Sequence, residues 1–185
     1  QMDLKMLQAH VGNKHGQTLY NYARGIDLSP VDPEEGLNKG YGNSITLAKD
    51  IDTLEEADHV LISLSEMVAS RLRKDHVRSS CICVEIKGTD FRRSTHQRKL
   101  RTPTDITDEI SRTARELYRE NYTGRSVRLI GVRATDITEE EFAQLDLFEQ
   151  EQREKLRKLD ASIDKIRAKF GKDSVQRASF LEGDI

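Results

Sequence analysis

The sequence predicts an α+β fold: a four-stranded sheet with two helices on one face, a short helix-hairpin-helix piece before it and a C-terminal helix after it. Two observations carry this. Segments 43–51, 80–90, 96–102 and 126–135 alternate in polarity as half-buried strands do, and two amphipathic stretches follow the first and third of them. The order is therefore β-α-β-β-α-β, a pattern whose two β-α units build an antiparallel sheet with both helices on the same side.

The elements follow in order. Segments 3–10 and 17–24 read as two short helices around Val11-Gly12-Asn13-Lys14-His15-Gly16. Leu4, Leu7, Ala9, Leu19, Tyr22 and Ala23 are expected to share a small core, and Gly25 is a natural left-handed stop. Residues 29–36 hold two of the three prolines and no periodicity, so 29–42 reads as a linker. The strand at 43–51 leads into the clearest helix, 53–73, where Thr53 and Glu56 form a capping box. Its apolar stripe is Leu54, Ala57, Val60, Leu61, Leu64, Met67, Val68 and Leu72. In the strand at 80–90, Ile82, Val84 and Ile86 share one face, and Cys83, Glu85 and Lys87 the other. A very basic strand surrounds Leu100, and Pro103-Thr104-Asp105 is expected to start a helix through about Asn121, its core face formed by Ile106, Ile110, Ala114, Leu117 and Tyr118. Tyr122-Thr123-Gly124 turns into the last strand, 126–135. A helix from 149 to 169 carries Leu156, Leu159, Ile163, Ile166 and Phe170 as a narrow seam, too short for a coiled coil and suited to packing on its own domain or on a partner.

The 185 residues allow one ordinary domain with appendages. Hydrophobic residues make up 36% and charged residues 34%, with no Trp and no apolar run near the ~20 residues of a membrane span, so no membrane association is expected. The start, Gln1-Met2-Asp3-Leu4-Lys5, has no signal-peptide pattern, and a cytoplasmic protein is expected. Cys81 and Cys83 lie on one strand face, an unlikely disulfide and too few ligands for zinc. No metal-ligand spacing, Walker loop or Ser/His/Asp set is present, and Asp50 and Asp52 read as acids at a helix start.

The net charge of −2 hides a segregation. Residues 71–101 hold ten Lys and Arg against three acids, whereas 136–185 hold 13 acids and nine bases. A dense basic block in a near-neutral chain fits either a polyanion site or a solvated face. The predicted fold decides between them by leaving one sheet face uncovered. That face carries Ser44, Thr46, Cys83, Glu85, Lys87, Lys99, Arg101 and Arg133, a set suited to phosphate oxygens. Simple alternation puts Arg128 with Ile130 and Val132 instead. Arg92, Arg93 and Arg98, near the turn between the second and third strands, either reach a nucleic-acid strand or are solvated.

Further on, Gln144-Leu145-Asp146-Leu147-Phe148 follows an acidic stretch, Thr138-Glu139-Glu140-Glu141. Such a peptide either docks in a partner's pocket, with Leu147 and Phe148 as buried anchors and Gln144 at the rim, or packs on the helix that follows.

Together these features resemble the C-terminal part of the Y-family translesion DNA polymerases, the DinB/UmuC (ImpB/MucB/SamB) group of bacteria. The residues around Val11–Gly16 with Leu19-Tyr20 and Ala23-Arg24-Gly25-Ile26-Asp27 are similar to the end of the thumb. Lys39-Gly40-Tyr41-Gly42-Asn43-Ser44-Ile45-Thr46 resembles the opening of the little-finger domain, and Arg128-Leu129-Ile130-Gly131-Val132-Arg133 its last strand. Gln144 to Phe148 falls where these enzymes carry a clamp-binding motif, and Ile163-Asp164-Lys165-Ile166-Arg167 with Phe170-Gly171-Lys172-Asp173-Ser174 is similar to the tail of Gram-positive members. One departure is Lys39-Gly40 where the family often has Lys-Ser, which puts a phosphate contact at position 40 in doubt.

The resemblance implies a division into the end of the thumb at 1–28, a linker at 29–42, the little finger at 43–137, a clamp-binding segment at 138–149, a helix at 150–171 and a tail at 172–185. It also implies a fragment of a longer DNA-directed DNA polymerase, itself not catalytic. The palm and its Mg2+ would lie outside, and the fragment would need no cofactor. The implied partners are duplex or primer-template DNA and the bacterial sliding clamp, the β subunit of the replicative polymerase. Candidate DNA contacts are Gly12, Lys14 and Gly16 in the hairpin and Ser44, Thr46, Lys87, Arg92, Lys99, Arg101, Arg128 and Arg133 in the sheet domain; the hairpin could equally be an ordinary helix-helix turn. Candidate clamp contacts are Gln144, Leu145, Asp146, Leu147 and Phe148. Two other classes fit less well: a self-standing clamp-binding or nucleic-acid-binding regulator of replication or repair, and an RNA-binding α/β domain, which would need paired aromatics on the sheet.

Overall fold

A computed structural model of the chain describes residues 3–29, 38–139 and 147–177. They fall into two units, 1–36 and 37–185.

The first unit contains α1 (Leu4–Val11) and α2 (Asn13–Tyr22). The six-residue turn expected between them shrinks to one residue. Gly12, at φ +84°, reverses the chain, and its N–H donates to the Gln8 carbonyl at 3.0 Å. Gly16 lies inside α2 and is buried, because a Cβ there would sit 2.7 Å from the Gln8 backbone. The helices cross at that point by backbone approach. The small apolar core expected here does not form: no residue of α1 is buried, and Leu19 and Tyr22 stay 49% and 56% exposed.

The second unit holds β1 (Gly40–Ile51), α3 (Leu54–Lys74), β2 (Arg78–Gly88), β3 (Arg93–Thr104), α4 (Thr107–Asn121), β4 (Val127–Thr138) and α5 (Leu147–Phe170). A short 3-10 turn at Lys172–Ser174 follows. The sheet order is β1-β4-β2-β3, antiparallel throughout. This is the predicted α+β architecture, with strands extended by a few residues. Pro103 belongs to β3 rather than to the start of a helix. It is tolerated because β3 is an edge strand, where a missing N–H breaks no central ladder.

The core lies between the sheet and the α3/α4 layer, with Leu61, Leu64, Val68, Leu72, Ile82, Val84, Ile110, Tyr118, Ile130 and Val132 almost fully buried. α3 begins on the predicted box: Thr53 Oγ1 accepts from the Glu56 N–H at 3.2 Å, and the Glu56 carboxylate accepts from Thr53 Oγ1 at 2.8 Å. Its buried stripe is rotated slightly from the expected one. Leu54 and Met67 are exposed, while Ser65 and Ala69 are buried. Ser65 can be inside because its hydroxyl donates to the Leu61 carbonyl at 2.6 Å.

α5 packs on its own domain, by a face rotated from the apolar seam that keeps only Leu156 and Ile163 of it. The residues it turns inward are Arg153, Leu156, Arg157, Asp160, Ile163, Asp164 and Arg167, while Leu159, Ile166 and Phe170 are exposed. Arg73 of α3 donates to Asp164 through Nε at 2.6 Å and Nη2 at 3.1 Å, and through Nη1 to Asp160 at 3.2 Å. Arg153 pairs with Glu109 at 2.8 Å, Arg157 with Asp105 at 3.1 Å and Arg167 with Glu66 at 3.0 Å. Asp160 also accepts from the Thr107 N–H at 2.9 Å. That bond caps α4 from another helix, since Ile106 at the N-cap has no side chain able to do so. All these partners lie on α3, on α4 or in the segment before α4, so among the described residues of this unit α5 leaves the opposite sheet face open. Among the described residues no helix is long and apolar enough to cross a membrane.

Candidate nucleic-acid interface

The open face follows from strand register, which sets four cross-strand rows. In β1-β4-β2-β3 order they are Gly40, Thr135, Cys81, Lys99; then Gly42, Arg133, Cys83, Gln97; then Ser44, Gly131, Glu85, Thr95; and then Thr46, Leu129, Lys87, Arg93. Alternation along each strand makes these the residues opposite the core. Ser44, Thr46, Lys87, Lys99 and Arg133 therefore come together as predicted.

Three of these positions are glycine: Gly40, where the family often has Ser, Gly42 and Gly131. A Cβ at Gly131 would lie 3.1 Å from Ser44 Cβ and 3.3 Å from Glu85 Cβ; one at Gly42 would lie 3.3 Å from the Arg133 side chain. Their absence lowers the floor of the face on β1 and β4, leaving a groove bordered by Lys39, Ser44, Glu85, Arg93, Arg133 and Thr135. Glycines at alternate positions 40 and 42 of a strand were the available signal, since glycine inside a strand marks close approach by another backbone.

Charge on the face is partly balanced. Arg93 pairs with the half-buried Glu85 at 2.9 Å, and Lys99 with Asp136 at 3.4 Å in an exposed pair. Among the described residues Lys39, Lys87, Arg128 and Arg133 have no carboxylate partner. Burial pushes the Cys83 thiol pKa up, against the pull of Arg133, which keeps it a neutral polar surface.

Arg128 escapes the alternation that assigned it to the core side. Pairing with β2 runs Lys87 to Leu129 and then Gly88 to Val127, so Arg128 is an extra residue, and both Val127 and Ile130 are buried. Such a bulge re-aims a side chain. The Arg128 guanidinium lies 5.5 Å from the centre of the Phe91 ring, which Lys87 Nζ also approaches at 4.9 Å.

The basic block at 71–101 does not form one patch. Arg73 is committed beneath α5, and Arg98, on the core side of β3, reaches Glu116 at 2.6 Å and Glu120 at 2.7 Å on α4. Arg92 is exposed at the β2–β3 turn, 3.8 Å from Asp90. Arg101 lies past a register shift in the β2–β3 pairing and borders a second groove with Arg112 and Leu156, away from the four rows. In the first unit, Gly12 and Lys14 are exposed at the start of α2, whereas burial against α1 removes Gly16 from direct contact with a ligand. Of the clamp-like peptide, Gln144, Leu145 and Asp146 lie outside the described residues, and the backbone of Leu147 and Phe148 opens α5.

Comparison with known proteins converges on the same segments. Residues 38–147 match the impB/mucB/samB family C-terminal domain, and residues 1–27 match the thumb domain described for DNA polymerase iota. DNA polymerase IV of Bacillus anthracis is 38% identical over 179 residues, which is 95% of this chain and 43% of that protein. DNA polymerase IV of Acetivibrio thermocellus is 35% identical over 91% of this chain and 44% of its own length. DNA polymerase IV 1 of Bacillus subtilis is 33% identical over 91% and 41%. The chain thus spans less than half the length of the curated relatives it matches. It belongs to the impB/mucB/samB group of Y-family DNA polymerases, as a C-terminal region carrying the end of the thumb and the little-finger domain.

Proposed function

We propose that this region grips duplex or primer-template DNA with the open sheet face and tethers a translesion DNA polymerase to a sliding clamp through Gln144–Phe148. The observation carrying the DNA reading is the glycine-floored groove lined by Lys39 and Arg133, on the same sheet face as Lys87. A sugar-phosphate backbone needs a surface it can approach closely, with cations and hydroxyls at its edge and no demand for a particular base. Ser44 and Thr46 supply the hydroxyls. In the first unit, the N–H groups of Asn13 and Lys14 at the start of α2 lack a side-chain cap, and with Lys14 they offer a second phosphate contact. On this reading, nucleotidyl transfer and its magnesium ions belong to a palm domain, and the residues here supply grip and tether.

Binding of a labelled duplex, followed by anisotropy across a salt series, tests the grip. Affinity should fall steeply with salt, and Arg133→Ala should weaken binding to all sequences alike while lowering the salt slope by about 1. Arg98→Ala, on the helix side, should leave binding unchanged. Equal effects of the two substitutions would place the DNA elsewhere.

Support for the tether comes from the string Gln144-Leu145-Asp146-Leu147-Phe148, which follows β4 in the chain and ends in the first two residues of α5. Calorimetry against a bacterial sliding clamp should show binding that Leu147→Ala/Phe148→Ala weakens by about 2 kcal/mol or more, the usual cost of truncating buried anchors. Undiminished binding by the double variant would refute this role.

A further inference from the structure

Phe91 is the most conspicuous side chain that the grip leaves unused. It sits at the tip of the β2–β3 hairpin with φ +63° and is 63% exposed. A bulky residue in the left-handed region is strained and persists only where its surroundings hold it. Here they do. The Gly88 N–H donates to the Arg92 carbonyl at 3.0 Å and the Phe91 N–H to the Gly88 carbonyl at 3.1 Å. The Asp90 carboxylate accepts from the Arg92 N–H at 3.0 Å and pairs with Arg125 at 3.6 Å. The turn thus holds an apolar ring largely uncovered by the described residues.

The ring's neighbours narrow what it meets. Lys87 belongs to the fourth row of the open face, and the bulge turns Arg128 to the same ring. A ring 63% exposed, approached by two cations with no carboxylate on either among the described residues, offers an apolar surface next to two phosphate-seeking groups that can exchange the ring for a phosphate. A nucleobase joined to its phosphates presents the complement, provided the base is not already stacked in a duplex.

Resting on the DNA reading above, we propose that Phe91 is a stacking platform for an unpaired base at the end of the open face, with Lys87 and Arg128 engaging the phosphates on either side of it.

The sequence contains no Trp, so Phe91→Trp introduces a single tryptophan, excited apart from the tyrosines, at the proposed platform. Adding oligo(dT) to that variant should quench its emission, and a fully paired blunt duplex should not. In anisotropy, Phe91→Ala should weaken oligo(dT) binding about tenfold, within the range measured for one base–aromatic stack. The same variant should hold the duplex within about twofold of the parent, and Phe91→Tyr should restore the oligo(dT) affinity. If duplex and oligo(dT) both bind but Phe91→Trp is not quenched and Phe91→Ala binds normally, the platform is refuted and the grip stands. If neither DNA binds the parent chain, both readings fall. Retention of the parent circular dichroism spectrum by Phe91→Ala excludes misfolding as the cause of any loss.

Discussion

The two units of this chain use the same alphabet of helices and reach opposite outcomes. α1 and α2 carry Met6, Val11, Leu19 and Tyr22, and all four remain exposed. α3 and α4 carry a similar apolar stripe and bury nearly all of it. Two helices of 8 and 10 residues can touch along one line, here the Gly16–Gln8 crossing, but cannot enclose a side chain between them. A sheet can, because its strands present a continuous floor under both helices. Periodicity identifies a helix; only a second layer makes its stripe a core.

The largest test of that contrast is to separate the units. A peptide of residues 1–29 should lose most of its helical circular dichroism, since helices below about 12–15 residues are marginal in water without packing. Residues 37–185 alone should keep a cooperative melt at the midpoint of the whole chain. A drop of more than about 4 °C, about 1 kcal/mol for a domain of this size, would show that the first unit supports the second.

Next in size is the attachment of α5, which is mostly ionic where the core is apolar. Asp160→Ala should cost about 1–3 kcal/mol, because it leaves the buried Thr107 N–H without an acceptor while Arg73 keeps Asp164. Hydrogen exchange at the Thr107 amide should rise well before that of β2. Unchanged protection there would mean that the cap across helices contributes nothing.

The smallest effect concerns the start of α3. The hydrogen bond from Thr53 holds the Glu56 carboxyl below its usual range. A carboxyl depressed in the folded state contributes stability above its unfolded pKa, and that contribution disappears as pH falls through the folded value. Glu56→Gln should therefore flatten the acid limb of stability against pH and change little near neutrality. Thr53→Ala should cost about 1 kcal/mol at neutral pH. An acid limb identical to the parent's in Glu56→Gln would dismiss the capping box as a source of pH dependence.

Much of the molecule was legible because its signals are local. Alternation in Ile82, Val84 and Ile86, the Thr53/Glu56 box and the β-α-β-β-α-β order each need only neighbouring residues, and each is present in the fold. Illegible positions depended on distant ones. Arg73 and Arg98 looked equal to Lys87 in a basic run, yet Asp164 lies 91 residues from Arg73 and Glu120 lies 22 from Arg98. Gly16 read as part of a turn until α1 was placed against it. Arg128, a candidate contact whose face alternation left open, lies at a bulge that no polarity pattern announces.

By itself, then, the sequence determined the elements, their order and the core face of most strand positions, since hydrophobic periodicity and capping act over a few residues, while its motifs, taken in order, pointed to the family. The tertiary structure alone decided which cations keep no carboxylate partner among the described residues, where three glycines open a groove and how Lys87 and Arg128 both come to approach the Phe91 ring. Those outcomes depend on register and on ion pairs between elements far apart in the chain, and no window along the sequence contains both partners.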